Sequence, residues 1–262
     1  MSTQLISIIT PVYDGGHGFL LDAYRSLISQ EMPPGWGWQW IVQEDGETGT
    51  PVSILPDDPR ISTGSGRRGG AAVARTLGLA RATGVLTRPL DADDVLTPGA
   101  LWRDIATLSS HDDLGWCVSA GLDLLSNGTL APPPQTEDFP GGRLDPDVIF
   151  AFYAAGMHRV ISCSMAAHTA LVRAVGGWAA LPASEDTSLL LACEAVASGW
   201  MISEPSMYYR KHPLQSTQRR QFTDPDELAA RRASLLGRRH ALRQAGWRWA
   251  PHDVLTPIPE AS

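Results

Sequence analysis

The chain has 262 residues, of which 43% are hydrophobic and 19% are charged, and its formal net charge is −7 at pH 7. This length is sufficient for one large domain with a substantial core, and the composition is that of a globular protein. An acidic chain has no bulk attraction for nucleic acid, so we predict no nucleic-acid partner. Any anionic ligand would need local arginines or a metal ion.

Cysteine and hydrophobic patterns exclude further classes of protein. The three cysteines are an odd number and form no Cys-x-x-Cys pair, which argues against a disulfide framework or a zinc site. They predict a reducing compartment, which we take to be the cytoplasm. The apolar run at residues 5–12 is too short for a membrane span and follows no basic segment, so we predict neither a span nor a signal peptide. The sequence indicates no oligomeric state.

Apolar strands alternate with amphipathic helices over the first 120 residues. The predicted strands are residues 5–10, 38–43, 60–63, 85–90 and 115–120. The predicted helices are residues 19–30, 70–83 and 98–109. This alternation indicates an α/β fold with a mostly parallel, doubly wound sheet.

The second half of the chain has a less regular pattern. Residues 131–146 are rich in proline, glycine and acidic side chains, and we predict a loop or a connection there. The remaining predicted elements are partly helical segments at 165–175 and 184–198, two short strands around Pro205 at 200–209, and a charged amphipathic helix at 226–244.

Three carboxylates follow the predicted strand at 85–90 within four positions: Asp91, Asp93 and Asp94. Like charges repel, so the cluster indicates a bound divalent cation, and Mg²⁺ and Mn²⁺ both favour oxygen ligands. The carboxyl end of a strand is also where open α/β sheets bind their ligands. The alternative is an ordinary turn in which Thr97 caps the following helix.

A glycine pattern offers a competing function. Gly64, Gly66 and Gly69 match the fingerprint Gly-x-Gly-x-x-Gly, and Asp91 lies at about the ~20-residue spacing expected of a dinucleotide site. This pattern would make the protein an NAD(P)-binding oxidoreductase. The preceding strand is short and polar, however, and the fingerprint leaves the acidic cluster unexplained.

Polar side chains at several strand ends favour a single nucleotide site. In a parallel sheet these ends share one edge, so Tyr13, Asp45 and Asp91 can converge. Tyr13 can stack on a base, and Asp45 can accept a hydrogen bond from a ring N–H. Asp91 can bind ribose hydroxyls or metal-bound water, and Asp93 can ligate a metal that neutralises a diphosphate. Each residue can instead belong to a turn or to the edge of the core.

These motifs together resemble the inverting glycosyltransferases of family 2, which have the GT-A fold. The matching segments are residues 8–13, 40–46, 70–75, 90–94, 176–178, 184–186 and 209–212. The resemblance implies a single Rossmann-like, doubly wound mixed sheet flanked by helices and followed by a C-terminal helical extension. It implies a domain over residues 1–222, with a nucleotide-sugar half at 1–120 and an acceptor half at 121–222, and an extension over 223–262.

The resemblance also implies an activity and its ligands. The enzyme would move a sugar from a nucleotide sugar, with UDP favoured as the nucleotide, to a small-molecule or saccharide acceptor, using Mn²⁺ or Mg²⁺. The implied nucleotide-sugar-binding residues are Pro11, Tyr13, Asp14, Asp45, Arg75, Asp91, Ala92 and Asp93. The implied metal ligands are Asp93, Asp91 and His212. A nucleotide-sugar-binding protein without catalysis and a sugar nucleotidyltransferase stay open as alternatives, although the latter would need an N-terminal lysine loop that is missing.

Residues within 178–186 would supply the catalytic base and contacts with the acceptor. The resemblance makes Asp186 the catalytic base, while Glu185 would share that role or bind acceptor hydroxyls. At the start of an apolar helix, Asp186 can alternatively be an ordinary cap. Trp178 would give an acceptor an apolar platform or pack the core. Two positions depart from the family pattern: Glu44 stands where Asp is usual, and Thr76 where Asn is common.

Arginines dominate the C-terminal part of the chain. Arg219 and Arg220, with Ser216 and Thr217 nearby, can form a lid over the diphosphate or a solvated loop. The basic helix at 226–244 can make weak peripheral contact with an anionic membrane or hold an anionic acceptor. We favour docking of this helix through its leucines, with its arginines in water.

Overall fold

The computed structural model describes residues 3–133, 140–213, 215, 224–251 and 255. Its strands are β1 (Gln4–Val12), β2 (Trp36–Glu44), β3 (Ile61–Gly64), β4 (Leu86–Pro89), β5 (Val95–Leu96), β6 (Leu114–Leu124), β7 (Leu130–Ala131), β8 (Gly142–Arg143), β9 (Ala166–His168) and β10 (Ser198–Arg210). Its helices are α1 (Leu20–Ile28), α2 (Thr50–Ser53), α3 (Ala71–Leu79), α4 (Ala100–Ser109), α5 (Val148–Ala154), α6 (Thr169–Ala174), α7 (Glu185–Val196) and α8 (Pro225–Gln244), with a 3₁₀ turn at Ser162–Ser164.

The strands form one ten-stranded mixed sheet in the order β3-β2-β1-β4-β9-β6-β10-β5, with β7 paired to β6 and β8 to β10. The first half is parallel, because β1 pairs with β2 and β4, and β2 pairs with β3. The carboxyl ends of these strands therefore share one edge. The sheet becomes mixed where β9 inserts antiparallel between β4 and β6. The predicted α/β architecture with a mixed sheet is confirmed.

Three predictions for the second half need correction. The predicted pair of strands at 200–209 is the single strand β10, whose register against β6 shifts on both sides of Pro205. A bulge tolerates a proline that has no N–H for the ladder, so the strand continues past it. The segment at 165–175 divides into β9 and α6, and the stretch at 131–146 carries the end of β7 and all of β8.

Helices cover both faces of the sheet, and alternate residues of a strand face opposite layers. Ile6 and Ile8 of β1 belong to one core cluster, with residues of α1 and α4. Ile9 of the same strand belongs to the other, with residues of α3, α6 and α7. Helix α7 is buried nearly all round, as expected of a helix at the centre of a layer rather than on the surface.

Helix α8 docks through leucines, as expected, because Leu235 is buried and Leu236 and Leu242 pack against the same core cluster. Arginines also take part in the docking, which corrects the expectation that they would lie in water. Three of them donate to carbonyls at or just beyond the C-terminal ends of other helices: Arg232 to Ala154, Arg238 to Val175 and Gly177, and Arg243 to Ala195. Such carbonyls have no partner inside their own helix, and the dipole there favours cations. Leu235 is buried, whereas Leu228 is exposed. Within the described part of the chain, no helix is long and apolar enough to cross a membrane.

Candidate active site

Asp45 connects the ends of the first two strands to the start of α3. Its backbone N–H donates to Val12 O over 2.7 Å, and its Oδ1 accepts hydrogen bonds from the N–H groups of Gly69 (2.6 Å) and Gly70 (3.0 Å). These two N–H groups would face a phosphate in a dinucleotide loop, but here they bind a carboxylate. This geometry argues against the oxidoreductase alternative. No described residue donates to Oδ2, so that oxygen can accept from a base.

The other residues expected around the nucleoside lie near the same ends of β1 and β2. A side chain at Gly16 would lie 2.3 Å from the Tyr13 ring, so glycine is needed for the loop to pass this close. The Arg68 guanidinium carbon lies 5.9 Å from the centroid of the Tyr13 ring. Pro11 is half-buried near the end of β1, and Asp14 is exposed. The structure thus brings Tyr13 and Asp14 to the same edge as Asp45.

Glu44 organises the loop that follows β2. Its Oε1 accepts from the N–H (2.8 Å) and hydroxyl (2.7 Å) of Thr48, and its Oε2 accepts from Gly49 N–H (2.9 Å). Gly49 has φ of +73°, a conformation that favours glycine. Burial opposes ionisation of Glu44, but the bonds from Thr48 and Gly49 outweigh it and lower its pKa. Glu44 therefore holds the loop beside Asp45 instead of facing the opening.

The segment between β4 and β5 that carries Asp91, Asp93 and Asp94 (residues 91–94) is called the acidic loop below. Asp93 and His212 face each other where β10 ends beside this loop. Asp93 Oδ2 lies 2.9 Å from His212 Nε2, and Arg210 Nε donates to the Asp93 carbonyl over 2.8 Å. The Phe19 ring lies 4.2 Å from the Arg210 guanidinium and 5.2 Å from the His212 ring. Burial, and then the charge of Asp91, raise the pKa of Asp93, which His212 opposes.

Asp94 has a different place from the other two carboxylates. It is buried, its Oδ1 accepts from Arg210 N–H over 2.9 Å, and its Oδ2 has no hydrogen-bond partner among the residues that the structure describes. Burial, with the charges of Asp91 and Asp93, raises its pKa well above the ordinary value. Asp94 therefore fixes the acidic loop to β10. Arg210 was not among the predicted site residues, and Asp94 was predicted only as one member of the acidic cluster, because their roles depend on a contact between segments more than 100 residues apart.

The donor set fits a hard divalent cation. The carboxylates of Asp91 and Asp93 and the imidazole of His212 are ligand types that Mn²⁺ accepts, and of these three the structure brings Asp93 and His212 into direct contact. Ligand atoms of Asp91, Asp94 and Cys163 also lie within 4.8 Å of one another. Burial raises the pKa of the Cys163 thiol well above its ordinary value, so a protonated sulfur faces the loop and does not suit Mg²⁺.

Arg75 joins the acidic loop to the start of α7. The side chain is buried, and its guanidinium forms ion pairs with Asp91 and Glu185 and lies 3.2 Å from Asp186 Oδ1. A buried arginine is stable only when carboxylates neutralise it, and three of them do so here. The structure therefore places the sequence-predicted Arg75, Asp91, Glu185 and Asp186 in one cluster.

Asp186 is bound by side chains from outside its own helix, and it does not cap that helix. Its Oδ1 accepts from Trp178 Nε1 over 3.0 Å and faces Arg75, whereas the start of α7 has no side-chain cap. Burial raises the pKa of Asp186 to about 7; Arg75 opposes this rise, and Glu185 and Asp91 add to it. The preceding Ser184 has φ of +63°, a strained conformation of the kind found at functional sites.

Trp178 does not present an open ring face. It is 3% exposed and packs in the core with residues of α6 and α7, so the expected apolar platform for an acceptor is not met. Its contribution to the cluster is the indole N–H. Thr76 Oγ1 donates to the Trp178 carbonyl over 3.2 Å, which gives a structural role to one of the two departures from the family pattern.

The lid residues Arg219 and Arg220, with Ser216 and Thr217, lie outside the described residues, as does the boundary at 222 and 223. Ala92 is buried between Asp91 and Asp93. Its side chain therefore contributes little surface to the opening, and any contact with a donor there would be through the backbone.

A family model and a curated relative each match part of this chain. The model of a family described as glycosyl transferase family 2 matches residues 7–144 of the chain, which is more than half of it. An uncharacterised glycosyltransferase of Escherichia coli K12, YibD, is 31% identical over 127 residues, or 44% of this chain. The match spans 36% of the length of YibD, so the two chains share only part of that protein.

Solved structures show the same fold. Residues 1–349 of Staphylococcus aureus TarS in complex with UDP-GlcNAc superpose with a TM-score of 0.67 and 16% identity, covering 94% of this chain and 74% of that one. The same TarS fragment in complex with UDP gives a TM-score of 0.63 and 17% identity, covering 81% of this chain and 61% of that one. At this level of identity the likeness establishes the GT-A fold alone.

Proposed function

Since the chain belongs to glycosyl transferase family 2, we propose that it is a metal-dependent, inverting hexosyltransferase that moves a sugar from a nucleotide sugar to an acceptor hydroxyl. One observation carries the proposal. Arg75 joins the carboxylate at the end of a central strand, Asp91, to the carboxylate at the start of α7, Asp186. In the proposed enzyme, Arg75 would therefore separate the donor, at Asp91, from the base, Asp186, by a few ångströms.

The donor would lie along the carboxyl edge of β1, β2 and β4. Asp45 Oδ2 would accept the N3–H of uracil, and Tyr13 would stack on the ring, with Pro11 and Asp14 beside them. Asp91 would bind the ribose. UDP is the nucleotide we favour, and the TarS complexes with UDP and UDP-GlcNAc on the same fold support this choice.

A divalent cation would be held by Asp93 and His212, with Asp91 on the same loop. Mn²⁺ or Mg²⁺ would supply charge neutralisation for the departing diphosphate. Oxygen ligands with one imidazole suit either ion. The contact between Asp93 and His212 is the part of the described structure that supports this assignment.

Asp186 would act as the general base. As the acceptor oxygen forms its bond to the anomeric carbon, the acceptor proton would pass to Asp186 Oδ2, and the bond from that carbon to the diphosphate oxygen would break with inversion. The Asp186 side chain is 19% exposed, which leaves room for an acceptor hydroxyl. Glu185 would orient the acceptor only if it left Arg75, since its carboxylate is paired in the structure.

The acceptor we propose is a small molecule or a saccharide, and the compartment is the cytoplasm. All three cysteines are buried and outside any disulfide, which supports a reducing compartment. The arginines of α8 that bind carbonyls are not available for an anionic membrane. This finding leaves less basic surface than the sequence suggested.

The test is hydrolysis of UDP-GlcNAc by the full chain with Mn²⁺, followed as release of UDP and by NMR of the freed sugar. Water replaces the unknown acceptor, and an α-linked donor should yield the β-anomer first. Asp186→Asn is the matched control, because it keeps the shape of the base and removes its charge. Release of the α-anomer first, or equal rates for both proteins, would contradict the proposal.

A further inference from the structure

The turn that follows α6 and leads to α7, which we call the Trp178 turn (residues 175–178), is bound at three of its four carbonyls, those of Val175, Gly177 and Trp178. Gly176 and Gly177 have φ of +84° and +65°, and their N–H groups return to carbonyls of α6. Thr76 of α3 donates to the Trp178 carbonyl over 3.2 Å. The backbone of the turn is therefore held by contacts with neighbouring helices, and the Trp178 side chain extends from it to Asp186.

Arg238 of α8 binds the opposite side of this turn. Its Nη2 donates to Val175 O and to Gly177 O, the latter over 3.1 Å, and its Nη1 donates to Ser188 Oγ over 3.0 Å. Ser188 lies on α7, two positions after Asp186. One guanidinium thus holds the Trp178 turn and the first turn of α7 at a fixed separation.

The Trp178 side chain completes the connection to the base. Its Nε1–H donates to Asp186 Oδ1, the same oxygen that lies 3.2 Å from Arg75. No described residue donates to Oδ2. With the indole hydrogen bond and the Arg75 ion pair both at Oδ1, the carboxylate cannot rotate without losing these two interactions in a buried setting, and Oδ2 is the oxygen that has no donor among the described residues.

We propose that Trp178 is a positioning residue for Asp186, and that Arg238 of the C-terminal helix and Thr76 of α3 hold it in place. The inference rests on the proposed function of Asp186 as the base. It implies that α8, which packs against α7, affects the reaction rate. A helix that only covered the core would have no such effect.

The hydrogen bond has a consequence for the pH profile. The charged and titratable groups facing Asp186 are Arg75 of α3, Glu185 of its own helix, Asp91 of the acidic loop and Cys163 of the 3₁₀ turn. Trp178 N–H donates to the ionised carboxylate and so lowers its pKa, as Arg75 does. Loss of that donor should raise the pKa and move the acid limb of the rate to higher pH.

The experiment measures UDP release from UDP-GlcNAc with Mn²⁺ between about pH 5 and 9, together with UDP affinity by calorimetry. Trp178→Phe keeps the ring in the core and removes the N–H. We expect kcat to fall about tenfold, as for one lost hydrogen bond to a charged group. We expect the acid limb to shift to higher pH and the UDP affinity to stay within about twofold.

Arg238→Gln should also lower kcat. Arg238→Lys keeps a cationic donor and should therefore retain part of the rate that Arg238→Gln loses. The matched control is Arg232→Gln on the same helix, because among the described residues Arg232 donates to Ala154 O, at the end of α5, and not to the Trp178 turn. This control should keep the wild-type rate. If Trp178→Phe does not fold, Thr76→Val and the Arg238 variants carry the test.

A wild-type pH profile and kcat in Trp178→Phe would overturn the inference, as would equal losses in Arg238→Gln and Arg232→Gln. Asp186→Asn is measured alongside to separate the two proposals. If Asp186→Asn is inactive while Trp178→Phe is unchanged, only the present inference fails. If Asp186→Asn turns over as the wild type does, the assignment of the base fails and this inference with it.

Discussion

Asp93 and His212 meet because a central strand and β10 both end at the acidic loop, and their contact gives the sharpest test of the metal assignment. Replacing Asp93 by Ala should weaken Mn²⁺-dependent UDP binding by at least about 100-fold. Loss of a residue that only supports a metal ligand costs up to about 100-fold, and loss of a direct ligand should cost no less. Calorimetry with and without Mn²⁺ measures this. Asp113→Ala, at an exposed ion pair with Arg143, is the control. Unchanged affinity in Asp93→Ala would remove Asp93 from the metal site.

The pKa of Asp186 predicts a pH dependence of turnover. A base must be ionised to accept a proton, and burial raises the pKa of Asp186 to about 7. We therefore expect kcat to reach half its maximum at about pH 7 and to fall roughly tenfold for each unit below about pH 6. The residual rate of Asp186→Asn should lack this limb. An acid limb near pH 4 in the wild type would mean that another group is the base.

At the scale of elements, the loop after β2 depends on a single carboxylate. Glu44→Gln should destabilise the fold by about 1–2 kcal/mol at pH 7, because a neutral amide accepts fewer and weaker bonds from Thr48 and Gly49. Urea unfolding measures this, with the exposed Glu47→Gln in the same loop as the control. Equal stability of the two variants would contradict a structural role for Glu44.

The same variant has a predicted pH dependence. The pKa of Glu44 is lowered in the folded state from its ordinary 4.5, so its ionised form adds stability above that pH. This contribution should disappear as the pH falls through the lowered pKa, where the wild-type carboxylate becomes protonated. The stability difference between wild type and Glu44→Gln should therefore shrink toward zero in acid.

For the whole molecule, ligand binding should appear as thermal stabilisation. A nucleoside diphosphate at about 100 times its Kd adds ~2.7 kcal/mol to the free energy of unfolding. We expect UDP with Mn²⁺ to raise the Tm by several degrees, EDTA to cancel the shift, and NAD(P)H to give none. A scan of UDP-, GDP- and dTDP-sugars identifies the donor. A shift with NADH alone would revive the dinucleotide interpretation of Gly64, Gly66 and Gly69.

Local patterns predicted the first half of the fold well, because strands such as β1 and β2 are apolar and buried on both faces. The second half was harder. Pro205 signals a break in an isolated sequence, but pairing with β6 carries β10 through it by a shift in register. The arginines of α8 have the sequence pattern of a solvated face. Three of them instead bind carbonyls at the ends of other helices, and the pattern of α8 does not show that those ends lie nearby.

The sequence by itself determined which residue types are available: strand-end carboxylates, one buried arginine in α3, and a Glu-Asp pair before an apolar helix. Its alternation of strands and helices also predicted a mostly parallel sheet, in which these strand ends share one edge. Tertiary structure alone decided their partners. The ion pair of Asp186 with Arg75 and the bonds of Arg238 to the Trp178 turn join segments far apart in the chain, and they place the Trp178 indole against Asp186. Such contacts depend on how the helices pack, and no local pattern encodes that distance.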